Sequence, residues 1–377
     1  MHKEFIKPLI IVVLAVLLVE FLARIIPAAD NRFFSLKKLS WFESLKHKET
    51  VATADTSIVK KAADISHDLL PLQSFIKKLN NPSENLRIAY YGDSIIEGDL
   101  ITGKLRMELQ SRHQGSGVGM VGITSIVAGF RQTIGHSFSR NWESISFMSP
   151  SKNDIPLGIT GYTFIPRNYY VPEKVIEPLQ IDSLAVLDSA QVVSPEAPKE
   201  RTRFYVDYNP WVEYRASNVA GGASTFSRIR LFYSHSSDSS YVNVSYDGAP
   251  FILRYLKNQL GVQVLDLSPV TPCKKIRLEF AANDPIHLYG VSFDELQGAY
   301  VDNYPVRGYS GMYFQRISSE ILSGFQKHLN YDLIILQYGA NVSHYKIRDY
   351  SYYEKGMKKS IKHIQKALPG VPVLLIS

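Results

Sequence analysis

The chain has 377 residues, enough for two domains that each bury a hydrophobic core. The net charge of +7 is mild for this length, and the lysines are scattered rather than grouped with arginines and aromatics, which argues against nucleic-acid binding. The single cysteine, Cys273, excludes an intrachain disulfide and a cysteine metal cluster. We expect neither a metal ion nor a cofactor.

An apolar segment begins the chain. Residues 8–29 are long enough to span the roughly 30 Å core of a bilayer, and Glu20 and Arg24 are spaced to pair on one helix face. A cleaved signal peptide is the alternative, although residues 26–29 make a poor small-residue cleavage site. The flanking positive charges leave the orientation undecided. We expect residues 1–29 to be a transmembrane signal-anchor and residues 30–82 a helical stalk.

A serine follows the first predicted strand. Residues 86–91 are typical of a buried strand, Gly92-Asp93-Ser94 comes next, and residues 100–113 have the pattern of a helix. The glycine permits a tight turn, and backbone N–H groups at the turn can stabilise an oxyanion, so Ser94 is well placed as a nucleophile. An ordinary turn is the alternative. The glycine-rich loop 115–119 follows a helix and lacks the ending of a phosphate-binding loop.

The pattern then changes to short alternating strands. Asp247-Gly248 is a strong hairpin signal, and residues 188–200 have the composition of an exposed loop. Strands of this length and spacing predict a β-sandwich, and the main ones are at 161–165, 203–208, 228–233, 241–246, 251–256, 263–267 and 275–280. Trp211, Tyr214 and Tyr233 are candidates for stacking on sugars, although core packing is the expected role for any one of them.

Strand and helix alternate again after residue 295. Residues 301–311 are predicted to open a helix that runs to about residue 329. A buried strand at 331–338 ends in Gly339-Ala340-Asn341, and a helix at 352–368 precedes a strand at 371–377. This alternation indicates a parallel sheet covered on both faces. Ser94 and Asn341 each follow a strand of this sheet and are therefore expected to meet at the carboxyl edge of the sheet.

In chain order, Gly92-Asp93-Ser94, Gly308 and Gly339-Ala340-Asn341 resemble blocks I, II and III of the SGNH (GDSL-type) hydrolases. The resemblance covers about residues 86–125 and 296–377. Residues 289–293 with Gly298 are similar to enlarged SGNH proteins of bacterial envelopes that carry a β-domain. The resemblance to the SGNH hydrolases implies an α/β fold with a three-layer, flavodoxin-like parallel sheet. The SGNH domain then comprises residues 83–126 and 296–377, interrupted by a carbohydrate-binding β-sandwich at 127–295.

The resemblance also implies a role for each site residue. Ser94 would be the nucleophile, and its N–H would be the first oxyanion donor. The N–H of Gly308 and the side chain of Asn341 would be the second and third donors. Asp93, Gly92 and Gly339 would support them. One such donor lowers the barrier to acyl transfer by about 3–4 kcal/mol.

The family's histidine base is missing from its usual place. It is normally supplied as Asp-x-x-His near the C-terminus, but the two matching strings here, Asp64 to His67 and Asp284 to His287, lie before and inside the insertion. His344 is near the site but in the wrong element. Because the sequence stops in an apolar strand, we interpret it as a truncated record, with the catalytic histidine and aspartate outside it. A complete protein of this length would have little or no hydrolase activity.

These features predict a membrane-anchored, extracytoplasmic (periplasmic) serine esterase or acetyltransferase. Its partners would be the membrane and an O-acylated, foremost O-acetylated, envelope polysaccharide such as peptidoglycan. The alternative is a non-catalytic glycan-binding or scaffold protein on a degenerate SGNH frame. The polymer and the oligomeric state stay undetermined by the sequence.

Overall fold

Four buried strands form a parallel sheet. The computed structural model describes residues 70–150, 155–168, 170–176, 200–206, 209–344 and 346–376, and the elements below belong to the unit Pro71–Ser377. The strands of this sheet are β1 (Leu86–Gly92), β15 (Ala299–Pro305), β16 (Leu333–Gln337) and β17 (Val373–Ile376). Their spatial order is β15-β1-β16-β17, and every neighbouring pair is parallel. The predicted parallel sheet is confirmed.

The prediction that a helix begins at residues 301–311 is wrong. Ala299–Pro305 form β15 at the edge of the sheet, and the helix begins only at Ser319. Two polar residues in the centre of this strand, Asp302 and Asn303, interrupt its apolar pattern. Both are buried, because tertiary contacts satisfy much of their hydrogen-bonding capacity. A strand stabilised in this way has no clear signal in the local sequence.

Helices cover both faces of the parallel sheet. The described helices are α1 (Gln73–Leu79), α2 (Leu100–His113), α3 (Ser319–Leu329) and α4 (Ser351–Ala367). Side chains alternate along β1, as a strand requires. Ile88 and Tyr90 pack with Leu109 of α2, whereas Ala89 and Tyr91 belong to the core on the α3 and α4 side. The result is the predicted three-layer α/β arrangement.

The inserted region contains two antiparallel sheets. The first comprises β3 (Ile134–Phe138), β8 (Trp211–Ala216), β10 (Tyr241–Tyr246), β11 (Ile252–Tyr255) and β13 (Lys275–Phe280). The second comprises β2 (Gly119–Val121), β4 (Trp142–Ser146), β5 (Tyr162–Pro166), β9 (Arg228–Ser234), β12 (Gln263–Asp266) and β14 (His287–Asp294). The strand order of the first sheet is β11-β10-β13-β8-β3, and that of the second is β12-β9-β14-β5-β4, with β2 also paired to β14. β6 (Tyr170–Ile176) and β7 (Glu200–Val206) form a separate antiparallel pair. The strand β2 lies within residues 83–126 but pairs with the inserted region.

The central strands β9 and β14 of the six-stranded sheet are buried on both faces. One face of this sheet packs against the five-stranded sheet. The core between the two sheets includes Val244, Leu278, Ile229 and Val291. The opposite face packs on the α/β layers, where the ring of Phe232 lies 5.2 Å from that of Phe325. The insertion is therefore a sandwich whose second sheet also contributes to the core of the α/β domain.

A buried charge network joins the two parts. Arg87 of β1 contacts Asp302 of β15 and Asp294 of β14, each at 2.8 Å. Burial raises the pKa of Asp294, but Arg87 and Arg230 outweigh burial and hold that pKa below its ordinary value. The network fixes β14 of the insertion against the parallel sheet.

The predicted signal-anchor at 1–29, and the stalk up to residue 69, lie outside the described residues. Among the helices that the structure does describe, none combines the length and the apolar character needed to cross a bilayer.

Candidate active site

Strand register brings the three motifs together. Gly92 at the end of β1 pairs with Pro305 on one side and with Gln337 on the other. Ser94, Gly308 and Asn341 follow these three positions by a few residues, so all three lie at the carboxyl edge of the sheet. This is the edge at which open α/β sheets place their binding sites.

The turn that carries Ser94 is tightly built. Ser94 begins a short 3-10 helix, Ser94–Ile96, whose preceding residue Asp93 accepts a hydrogen bond from the Ile95 N–H at 2.9 Å. A Cβ atom at Gly92 would come within 3.0 Å of Ile96 and 3.2 Å of the Gln337 carbonyl oxygen, so glycine is needed there. Ser94 itself is exposed. The sharp turn thus presents the serine to solvent.

Gly308 occupies a turn beside Ser94. The Tyr309 N–H donates to the Val306 carbonyl at 3.1 Å, and Gly308 has a φ of +75°, which favours glycine at this turn position. The Val306 N–H donates to the Gly92 carbonyl at 2.9 Å and so ties the turn to the end of β1. Neither the Ser94 N–H nor the Gly308 N–H has an acceptor among the described residues. Both are available to a ligand oxygen.

Asn341 connects the other two motifs. Its Nδ2 donates to Asp93 Oδ2 at 2.8 Å and to the Tyr309 carbonyl oxygen at 3.2 Å. Gly339, with a φ of +137°, accepts hydrogen bonds from the N–H groups of Val342 and Ser343 and shapes the loop. Both hydrogens of the Asn341 amide are therefore engaged. To act as the third oxyanion donor, Asn341 must exchange one partner, and the longer bond to Tyr309 is the weaker of the two.

Tyrosines surround the site but stay protonated. Burial raises the pKa of Tyr338 well above its ordinary value, and burial likewise raises the pKa values of Tyr309 and Tyr353. A phenol with a raised pKa is a poor general base. These rings therefore provide packing around Asp93 and not proton transfer.

A base for Ser94 is absent from the described residues. No described side chain donates to or accepts from the Ser94 hydroxyl. His287 is buried in β14, where it stacks on His235 with ring centres 4.6 Å apart, and Asp284 accepts from Ser240. His344 is exposed on the loop after Asn341, where its Nδ1 accepts from the Lys346 N–H at 3.2 Å. Asp64 and His67 lie outside the described residues.

Two of the three candidate sugar-stacking residues have the expected core-packing role. Tyr214 and Tyr233 are buried between the sheets of the sandwich, where they fill the core. Trp211 is half-buried, and the guanidinium of Arg277 lies 4.0 Å from the centre of its ring. Aromatic residues on alternating strands cannot be assigned to the core or the surface from their type alone.

Sequence reasoning missed an ion pair beside the site. Arg307, directly before Gly308, contacts Glu97 with Nη2 to Oε2 at 2.5 Å. The two residues belong to different motifs, so nothing in the local sequence signals their pairing. No group of acidic, histidine or cysteine side chains suited to hold a metal ion occurs in the described part of the chain.

The chain resembles solved esterase structures. No protein-family model and no curated protein sequence matches it. It is similar to a peptidoglycan O-acetylesterase at 18% identity, with a TM-score of 0.55, over 80% of this chain and 71% of that chain. A family two carbohydrate esterase from Cellvibrio japonicus matches at 11% identity and a TM-score of 0.19, over 64% of this chain and 78% of the other.

The likeness to the peptidoglycan O-acetylesterase concerns the fold. A parallel sheet with three SGNH-like motifs at its carboxyl edge agrees with it. The chain has a mixed α/β fold similar to that of this O-acetylesterase structure, with an antiparallel insertion, and this agrees with the resemblance recognised in the sequence.

Proposed function

We propose that the protein is a serine esterase that acts on O-acetyl groups of an envelope polysaccharide. The observation that carries the proposal is the exposed Ser94 hydroxyl together with the backbone N–H groups of Ser94 and Gly308, neither of which has an acceptor among the described residues. The fold of a peptidoglycan O-acetylesterase supports the same chemistry and the same class of polymer.

The reaction follows from these positions. The Ser94 oxygen attacks the acetyl carbon, and the two N–H groups, with Asn341, hold the negative oxygen that forms. The bond from the acetyl carbon to the sugar oxygen then breaks, and the proton released by Ser94 passes through a general base to that sugar oxygen. Water attacks the acetyl-serine and yields acetate and free Ser94. Another hydroxyl in place of water would make the reaction a transfer. The general base must come from residues outside those described.

A non-catalytic glycan-binding role is the second candidate. It is favoured by the unpartnered Ser94 hydroxyl and by the engagement of both Asn341 hydrogens. Under this alternative the sheet edge binds an acylated glycan without cleaving it.

Acetate release separates the two functions. The protein is incubated with O-acetylated peptidoglycan, and Ser94→Ala is compared with Ser111→Ala, an exposed serine of α2. We expect the wild type and Ser111→Ala to release acetate and Ser94→Ala to be inactive. Release by Ser94→Ala at the wild-type rate would rule out the mechanism, whereas glycan binding by a wild type without release would favour the binding role.

We also propose that residues 8–29 anchor the chain in the membrane with the body outside the cytoplasm. The apolar run and the envelope polymer proposed as substrate support this placement. The protein should sediment with carbonate-washed membranes and be cleaved by protease added from the periplasmic side. Recovery in the soluble fraction would contradict it.

A further inference from the structure

A cavity adjoins the candidate active site. It has a volume of about 300 Å³ and lies between the six-stranded sheet of the insertion and the edge strand β15. Glu97, from the segment that carries Ser94, and Arg307, which directly precedes Gly308, both line it. A molecule in this cavity would therefore lie beside the proposed oxyanion site.

Each guanidinium of the cavity wall already has a carboxylate partner. Among the described residues that line it, Arg307 pairs with Glu97, and Arg131 shares the buried carboxylate of Asp99, at 3.2 Å, with Arg106, at 2.9 Å. The Glu97 side chain is 9% exposed and that of Arg307 is 47% exposed. An anionic ligand would have to compete with these carboxylates for the guanidinium groups. An uncharged ligand can bind without displacing these partners.

Neutral hydrogen-bonding groups complete the wall. His136 Nε2 lies 3.0 Å from the Ile123 carbonyl and must donate to it, which leaves Nδ1 as an acceptor. The hydroxyls of Thr124 and Ser144 lie 3.0 Å apart at the same cavity. Asn303 is 4% exposed, and its Oδ1 has no donor among the described residues. A ligand with several hydroxyl groups matches these neutral donors and acceptors.

Asn303 also connects the cavity to the nucleophile. Its Nδ2 donates to the Ile96 carbonyl at 2.9 Å, at the end of the short helix that begins with Ser94. A group bound against Asn303 would thus be positioned relative to that helix.

Aromatic surface lies on the insertion side. The rings of Tyr162 and Phe164 are stacked with centres 5.8 Å apart and an angle of 6° between planes, and both line the cavity. The Tyr162 hydroxyl has no partner among the described residues. An apolar and aromatic lining with a few neutral polar groups is the usual composition of a small-ligand pocket.

We propose that this cavity is a subsite for one neutral sugar ring, next to the ring that carries the acyl group. The proposal rests on the esterase function above and specifies its substrate class, a polysaccharide in which an uncharged sugar neighbours the acylated unit. It also assigns a role to the insertion, whose strands β4 and β5 form one wall of the subsite.

Binding of oligosaccharides tests the subsite directly. The probes are a neutral β-linked N-acetylglucosamine tetramer and a uronate tetramer, titrated into the protein by calorimetry. Ser144→Phe fills the cavity from an exposed position, and Ser137→Phe on β3, also exposed and not part of the cavity wall, is the matched control. Tyr162→Phe removes one hydroxyl and keeps the stacked ring.

We expect the neutral tetramer to bind, Ser144→Phe to weaken that binding by about tenfold or more, and Tyr162→Phe by about threefold. Ser137→Phe should stay within about twofold of the wild type. Tighter binding of the uronate, equal affinities of Ser144→Phe and Ser137→Phe for the neutral tetramer, or no binding of that tetramer at about 10 mM would overturn the proposal.

Kinetics distinguish a failed subsite from a failed function. If both proposals hold, Ser144→Phe raises KM for the acetylated polymer, whereas Ser137→Phe, outside the cavity wall, leaves that KM and the hydrolysis of a small acetyl ester unchanged. If acetate is released but Ser144→Phe behaves as the wild type, the subsite is wrong and the esterase stands. If no ester is cleaved while Ser144→Phe still weakens tetramer binding, the esterase is wrong and the subsite stands.

Discussion

Asn341 donates a hydrogen bond to Asp93 at 2.8 Å, and the same amide group also reaches the Tyr309 carbonyl. One side chain thus joins the loops that follow β1, β15 and β16. Asp93 is 1% exposed, and its other oxygen holds the Ile95 N–H in the turn that carries Ser94. Asp93 is therefore a positioning residue for both the nucleophile and Asn341.

Replacement of this carboxylate should affect catalysis more than folding. In Asp93→Ala the turn and Asn341 lose a shared anchor, and we expect kcat for acetate release to fall about tenfold to a hundredfold. KM should change little, because no proposed sugar contact is lost. Asp349→Ala is the matched control, since Asp349 also accepts from a backbone N–H, that of Ser351, at an exposed helix start. Equal kcat values in the two variants would contradict the positioning role.

Gly308 should be required for catalysis through its N–H, as well as for stability through its backbone conformation. Gly308→Ala and Gly248→Ala both place a Cβ without a steric clash, 3.8 Å from Met148 and 3.9 Å from Lys275, at a positive φ of +75° and +84° respectively. Each should cost about 1 kcal/mol in the free energy of unfolding, measured by urea denaturation. Strain at Gly308 also displaces its N–H, so kcat should fall about tenfold in Gly308→Ala alone. A similar kcat in the two variants would remove Gly308 from the oxyanion site.

The Arg87 network should dominate the stability of the joint between sheet and insertion. Arg87→Met leaves Asp294 and Asp302 buried without their main counter-ion, and we expect a loss of about 3–5 kcal/mol in the free energy of unfolding. Lys104→Met is the control, because Lys104 pairs with Glu108 at an exposed position and should change stability by less than about 1 kcal/mol. Comparable losses in both variants would show that the buried network contributes little.

Two buried histidines should make stability depend on pH. Burial lowers the pKa of His136 to about 4, with the charge of Arg131 adding to this effect, and burial with His235 lowers the pKa of His287 to about 4. Between pH 4 and the ordinary value of 6.5 the unfolded chain binds more protons than the folded one. The free energy of unfolding should therefore rise with pH across this interval, by about 3 kcal/mol for each histidine.

His136→Gln keeps a donor for the Ile123 carbonyl but does not titrate. Denaturation at several pH values should show about half the wild-type slope in this variant, with His287 supplying the remainder. An unchanged slope would show that His136 keeps an ordinary pKa in the folded protein.

The positions of Ser94 and Asn341 followed from the sequence, because each lies directly after a buried apolar strand and parallel strands end at the same edge. The alternation of short strands also indicated the antiparallel insertion. Edge strand β15 escaped sequence reasoning, since Asp302 in its centre is buried through contacts with Arg87, Met120 and Tyr331, which are distant in the chain. The sequence likewise did not decide whether Tyr214 and Tyr233 lie in the core, because contacts with residues distant in the chain determine their burial.

The sequence by itself thus determined the fold class and the order of the three motifs, because strand periodicity and turn chemistry act over a few residues. Only the tertiary structure decided which groups face one another at the sheet edge. The Asn341 to Asp93 bond and the Glu97 to Arg307 pair depend on the register of β1 with its neighbours. That register is set by core packing across the whole sheet, and no local pattern encodes it.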